Sequence, residues 1–296
     1  MKNIMIIGAN GFTGRRILND LSVNPIYHVT GCSLRDDICP GKDYRFVRTD
    51  IRDENEVRKL FKECRPDIVI NTSALSVPDY CETHHTEAEA TNVTAVETIA
   101  HVCEQYGSRF IHLSTDFVFD GKSTRLYKEE DEAIPVNYYG VTKLKAEKII
   151  ASICSNYAIV RVVVVYGKAL PGQHGNILQL VANRLRNGET IRVVSDQWRT
   201  PTFVGDISVG VEKLMFHTAN GIYHICGSEC LTIAEIAYRV ADFLKLDRSL
   251  IEPVTTDEMK EVTPRPRFSG LSIEKAKAEI GYTPRTLEEG MEASLF

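Results

Sequence analysis

The sequence predicts an α/β protein whose core is a doubly wound parallel sheet. Two observations carry this reading. Short apolar stretches alternate with segments of helical periodicity from the first residues to about residue 167, and repeated β–α units of this length join parallel strands. The first unit, residues 2–21, also places a glycine-rich turn between its strand and its helix. Composition sets the bounds. The 296 residues suffice for a large core in one or two domains, and 43% hydrophobic with 25% charged residues is ordinary for a soluble globular chain. A formal net charge of -5 and the lack of a basic block speak against a nucleic-acid surface. No basic leader precedes the first strand, and no apolar run approaches the ~20 residues of a membrane span, so a cytoplasmic protein is expected. The eight cysteines are scattered without a C-x-x-C pair, and His84-His85 has no acidic or Cys partner at ligand spacing. Free thiols and no metal site are expected.

The elements follow in order. Residues 2–8 read as a buried strand, Gly8-Ala9-Asn10-Gly11-Phe12-Thr13-Gly14 as a turn, and residues 13–21 as a helix. Strand, glycine turn and helix in that order make a dinucleotide site. Gly8 allows the tight turn, Gly11 lets backbone approach a pyrophosphate, and Gly14 permits close packing. The helix N-terminus offers free N–H groups to phosphates. A second strand, residues 28–33, ends in Ser33-Leu34-Arg35-Asp36-Asp37. An acidic residue there would hold the ribose of NAD, whereas an Arg accommodates a 2′-phosphate. Ser33 and Arg35 occupy the positions that favour NADPH, with NADH as the alternative because Asp36 and Asp37 follow closely. Residues 44–48 are strand-like, and Asp50-Ile51 leads to a helix over 53–64. Residues 68–71 form the fourth strand, 87–106 a long helix and 110–113 the fifth strand.

Ser114 and Thr115 close that fifth strand, where a hydroxyl can bond a substrate carbonyl; equally, such residues often merely end strands. Tyr139 and Lys143 then open a helical segment over 141–155. Four apart, they share one helix face. An adjacent ammonium favours the phenolate, which would make Tyr139 a usable proton donor or acceptor.

The G-x-x-G-x-x-G spacing and the Tyr139/Lys143 pair together resemble the extended branch of the short-chain dehydrogenase/reductase superfamily. Within it, Ser114-Thr115-Asp116-Phe117-Val118-Phe119-Asp120-Gly121 is similar to the S-T-D-x-V-F-D-G segment of dTDP-4-dehydrorhamnose reductases. Asn137 to Lys143, Arg161 to Gly167, Asp196 to Thr202 and Pro264-Arg265-Pro266 fit the same family. The resemblance implies a Rossmann-type sheet with an NAD(P)-binding domain over residues 1–167. Residues 168–296 would build mostly a smaller sugar-nucleotide domain, partly interleaved with the first. It also implies Thr115, Tyr139 and Lys143 as catalytic residues. The cofactor set it implies is Gly8, Asn10, Gly11, Phe12, Thr13, Gly14, Ser33, Arg35, Asp50, Ile51, Ser73, Ala74, Ser76, Tyr139 and Lys143. Substrate contacts fall on Thr115, Asp116, Val164, Arg199 and Arg265, and Asn92 matches a structural Asn.

The activity implied is NADPH-dependent reduction of a 4-keto nucleotide sugar, dTDP-4-dehydrorhamnose to dTDP-rhamnose. Neither nucleic acid nor membrane is an expected partner, and a homodimer is left open. One departure bears on the sugar: where the family commonly carries a pocket Trp, this chain has Val164. Trp198, the only indole, is then the candidate to cover the sugar face. Two alternatives stay open, another epimerase or reductase of the same branch and a non-catalytic NADP-binding module like the beta subunit of methionine adenosyltransferase.

Overall fold

In the computed structural model, which describes every residue except Lys42, His174, Leu295 and Phe296, seven parallel strands form one sheet. They are β1 (Lys2–Ile7), β2 (Tyr27–Ser33), β3 (Arg45–Arg48), β4 (Ile68–Asn71), β5 (Arg109–Thr115), β6 (Tyr157–Val162) and the strand Gly221–His224. Across the sheet the order is Gly221–His224, β6, β5, β4, β1, β2, β3. β1 pairs with β2 on one side and with β4 on the other. The chain's winding reverses there, and the crevice beyond the carboxyl ends of β1 and β4 is where such sheets bind ligands. All residues of β4 and β5 are buried, as expected of parallel strands covered on both faces.

Alternation along β1 divides the core. Ile4 and Ile6 pack with Ile17, Leu18, Ile207, Val211 and Leu214 on one face, and Met5 and Ile7 with Val57, Phe61, Val96, Ile99 and Ile150 on the other. Ile207, Val211 and Leu214 belong to the helix Val204–Phe216. That helix and the strand Gly221–His224 thus carry residues from beyond 167 into the large sheet. A third apolar cluster joins the helices Ile177–Arg186 and Ile233–Leu244 to the parallel pair Ile191–Val194 and Ile251–Val254.

Most sequence-predicted elements occur within a few residues of their expected bounds. The long helix expected over 87–106 does not run unbroken. It is split into His85–Glu89, a π-helical turn Ala90–Thr94 and Ala95–Tyr106. Asn92 sits in the widened turn and explains it. Its amide accepts from Leu75 N–H at 2.8 Å and donates to the Leu75 carbonyl at 3.0 Å and to Thr142 Oγ1 at 3.1 Å. A π-turn is a common local adjustment at functional sites. Here it lets one side chain hold a cleft-wall loop against another helix.

That other helix, Tyr138–Ile153, begins earlier than the apolar pattern suggests because Asn137 caps it, accepting from Gly140 N–H at 2.9 Å. A buried ion pair fixes its middle. Glu147 accepts from Arg161 Nε at 3.0 Å, from Arg161 Nη2 at 2.6 Å and from Ser114 Oγ at 2.5 Å. Both side chains are almost wholly buried. Breaking such a pair strands a charge, so Glu147→Leu is expected to cost about 3–5 kcal/mol of stability. Urea unfolding monitored by circular dichroism measures it, and a loss below about 1 kcal/mol would show that water screens Arg161.

Candidate active site

The first strand–helix turn is built for a close backbone approach. Gly8 has φ +82°, and a β-carbon there would meet Ser73 N at 2.7 Å. A β-carbon on Gly14 would overlap the Gly8 carbonyl oxygen. Only glycine at both positions lets the helix Phe12–Ser22 start this near β1. Gly11 at its N-cap makes no side-chain cap hydrogen bond, and no acidic residue occupies the first turn. The turn therefore fits a pyrophosphate, held by backbone N–H groups and the positive end of the helix.

Gly8, Asn10, Gly11, Phe12, Thr13 and Gly14 line one cleft of about 770 Å³ together with Ser33, Asp50, Ile51, Ser73, Ala74 and Ser76. Several of the polar groups are already engaged. Asn10 donates to the carbonyls of Arg35 at 3.2 Å and Asp36 at 2.9 Å and accepts from Arg15 Nη2 at 2.9 Å. It is a staple for the loop after β2. Asp50 holds Arg52 through Nε at 2.9 Å and Nη2 at 2.7 Å. Arg35, expected to line the cofactor site, is exposed and does not line the cleft, although the adjacent Ser33 and Leu34 do. Asp37 is no free ribose ligand either, because Arg15 and Tyr44 take its carboxylate.

The same cleft continues to Thr115, Asp116, Tyr139 and Lys143. Thr115 Oγ1 donates to Asp116 Oδ1 at 3.1 Å and accepts from Phe117 N–H at 3.2 Å. Tyr139 and Lys143 share a helix face, yet the electrostatics differ from the sequence expectation. Lys143 Nζ turns to the Leu113 carbonyl at 2.7 Å and His112 Nε2 at 2.8 Å. Burial lowers its pKa to about 8, with Glu147 opposing. Burial, aided by the Asp116 carboxylate and opposed by Thr115, raises the Tyr139 pKa well above its usual value. Desolvation wins over the expected lysine effect, so the phenol keeps its proton at neutral pH.

At the far end, Val164 lines the cleft with φ +36°, a left-handed conformation that is an outlier for a β-branched residue. The Thr202 side chain holds the neighbouring backbone by donating to Val163 O at 2.7 Å. Arg265 also lines the cleft and reaches Glu261 at 3.3 Å. Two expectations fail here. Arg199 does not line the cleft. It is buried, donates to Trp198 O at 2.8 Å and Gln197 Oε1 at 3.0 Å, and faces Asp116 at 3.7 Å. A guanidinium so enclosed is a wall strut and not a diphosphate ligand. Trp198 is 39% exposed and lies outside the cleft lining, so it does not cover the sugar face. Sequence reasoning missed Gln173, whose amide donates to the Asn10 carbonyl at 3.0 Å and which lines the cleft with Gly172, Gly175 and Asn176. It also missed His112 and Asn71, which no motif marks. Among the described residues no cluster of three or more metal-ligating side chains occurs, and no helix is long and apolar enough to cross a membrane.

The model of the RmlD substrate binding domain family matches residues 1–295. The spore coat polysaccharide biosynthesis protein SpsK of Bacillus subtilis is 34% identical, over 98% of this chain and 96% of its own length. Methionine adenosyltransferase 2 subunit beta of Xenopus laevis is 31% identical, over 96% and 84%. The crystal structure of dTDP-4-dehydrorhamnose reductase from Bacillus anthracis in complex with NADP superposes with a TM-score of 0.87 at 26% identity, covering 99% of each chain.

The Asp116–Arg199 contact yields a test of the wall. Burial raises the Asp116 pKa against the pull of Arg199, Ser269 and Thr115. Arg199→Met removes the main opposing charge, so the folded-state pKa climbs further. A folded pKa above the unfolded value means that the folded state binds more protons, and stability falls as pH rises above ~3.9 through that window. The variant is expected to lose about 3–5 kcal/mol at pH 8 and clearly less at pH 5. Equal losses in urea unfolding at both values would show that Asp116 is not the group left unpaired.

Proposed function

The chain belongs to the RmlD substrate binding domain family, the dTDP-4-dehydrorhamnose reductase group of the extended short-chain dehydrogenases/reductases, and we propose that it reduces a 4-keto nucleotide sugar with NADPH. The observation that carries this reading is one continuous cleft, running from the glycine turn to Thr115, Tyr139 and Lys143. NADPH, bound with its pyrophosphate at residues 11–14, supplies the hydride; NADH is the alternative. Thr115, a hydroxyl rotor now bonded to Asp116, turns its hydrogen to the substrate carbonyl. Tyr139, kept protonated by burial, delivers its proton to the developing alkoxide. Lys143 offers N–H groups beside it.

The proposed substrate is dTDP-4-dehydrorhamnose. Val164 leaves the cleft without the broad aromatic face expected there, and Trp198 does not replace it, which favours a related 4-keto sugar as the competing substrate. A second reading, a non-catalytic NADP-binding regulatory subunit, draws support from the 31% identity to methionine adenosyltransferase 2 subunit beta. NADPH oxidation measured against a panel of 4-keto nucleotide sugars separates them. Turnover of one panel member identifies the substrate, whereas tight NADPH binding without any turnover would leave the regulatory subunit.

Tyr139→Phe removes only the hydroxyl, so cofactor binding should persist while reduction stops. If the variant keeps more than about a tenth of wild-type kcat, equivalent to ~1.4 kcal/mol of barrier, Tyr139 is not the acid. Val164→Trp adds bulk at the strained position. Should a different sugar be native, this change blocks it and leaves or improves dTDP-4-dehydrorhamnose turnover. Should dTDP-4-dehydrorhamnose be native to the wider pocket, its kcat/KM drops by a factor of about 10–200.

A further inference from the structure

A buried charge pair stands beside the cofactor end of the cleft, and no motif of the chain accounts for it. Arg15, on the helix Phe12–Ser22, is only 3% exposed. Its guanidinium pairs with the carboxylate of Asp37, four residues beyond the end of β2. The same guanidinium donates to Asn10 Oδ1 at 2.9 Å and to Tyr44 Oη at 2.9 Å. Asp37 accepts in addition from Tyr44 Oη at 2.8 Å and from Cys39 N–H at 3.0 Å, so both carboxylate oxygens are occupied.

Stability is a poor reason for this pair. Arg15 Nε is buried without a partner, and desolvating two charges largely offsets their attraction. Position is a better reason. In sheets of this kind the residues after the second strand face the ribose 2′-oxygen of a bound dinucleotide. Ser33 and Leu34 line the cleft there, and Asn10, which lines it too, ties the loop down by donating to Arg35 O and Asp36 O. Arg35, Asp36 and Asp37 together leave this loop one negative charge, which Arg15 cancels. Without that cancellation a carboxylate would stand uncompensated where NADPH carries its extra phosphate and NADH carries a hydroxyl.

We propose that Arg15 is a specificity-determining residue that admits NADPH. It neutralises and holds back Asp37, so that the acidic loop after β2 neither repels a 2′-phosphate nor grips a 2′-hydroxyl. Arg15 does not itself line the cleft and acts through Asp37. The other charges at this end leave Asp37 in control. Asp50 and Arg52 pair with each other, and Arg35 and Asp36 are exposed, where water and salt screen them. The proposal rests on the NADPH reading of the cleft and not on which sugar is reduced.

Fluorescence titration of NADPH and NADH against three variants tests it, with 2′,5′-ADP as a competitor that carries the phosphate without the nicotinamide. Asp37→Asn removes the carboxylate charge and leaves the guanidinium, so NADPH should gain on NADH. Arg15→Met strands the carboxylate. NADPH and 2′,5′-ADP should then weaken by about tenfold or more, while NADH holds or improves. Arg15→Met/Asp37→Asn removes both charges and should bring the NADPH-to-NADH ratio back to that of the wild type. An Arg15→Met protein too unstable to purify still leaves two readings, the rise with Asp37→Asn and its reversal in the double variant. A ratio that stays constant across the variants, with both cofactors weakened alike, would show that the pair only staples the loop and would overturn the proposal alone. Wild-type protein that binds neither cofactor would overturn the dinucleotide reading, and the proposal with it.

Discussion

The anchoring of one helix to the sheet is the constraint on which the site depends. Tyr138–Ile153 lies so close to the segment after β5 that a β-carbon on Gly140 would overlap the Phe117 carbonyl. Asn137 fixes its start, both by capping Gly140 and by donating to the Pro264 carbonyl at 2.9 Å. Glu147 fixes its middle through Arg161 of β6 and Ser114 of β5. The start and the middle of a rigid rod are thereby tied to the Pro264 segment and to strands β5 and β6. Tyr139 and Lys143 lie between those ties, and their positions follow from them rather than from any contact with each other.

Burial on that rod produces the site's electrostatics. The same desolvation raises a phenol and lowers an ammonium, because each is pushed toward its neutral form. The phenol therefore holds its proton at neutral pH, while the ammonium gives its proton up more readily than an exposed lysine does. Asp116 belongs to this logic. Its carboxylate sits buried against Arg199 and Ser269 and adds negative charge near Tyr139, which further disfavours a phenolate. The wall behind the cleft is therefore an electrostatic component of it, although Arg199 never reaches the cleft.

Much of this was legible in the sequence, for stated reasons. The parallel sheet follows from the alternation of apolar runs with helical periods, and the glycine turn from a strand–glycine–helix order in which sterics reserve Gly8 and Gly14 for glycine. The S-T-D segment and the Tyr/Lys spacing marked the residues that share the cleft. What stayed hidden depends on tertiary direction. Arg199 is correct in type but lies behind the cleft, because Asp116 captures it. The π-turn at Asn92 needs a partner carbonyl at Leu75, seventeen residues away, which helical periodicity cannot register. His112 lies within an apolar strand and looks like core until Asn71 and Lys143 are seen on either side of it.

Val164 shows how local strain and function meet in this cleft. A β-branched residue at φ +36° costs of order 1–3 kcal/mol and persists only where its surroundings overdetermine it. Those surroundings are present. Thr202 N–H donates to the Val164 carbonyl at 3.2 Å, Thr202 Oγ1 bonds Val163 O, and Val165 pairs in parallel with Thr202. The backbone kink is thus held by bonds to main-chain atoms, none of which involves the Val164 side chain. That separation lets residue 164 vary in size while the chain path after β6 stays fixed. A cleft whose glycine turn is locked by sterics and whose Tyr139–Lys143 helix is locked by buried polar bonds can then change its shape at this one wall position.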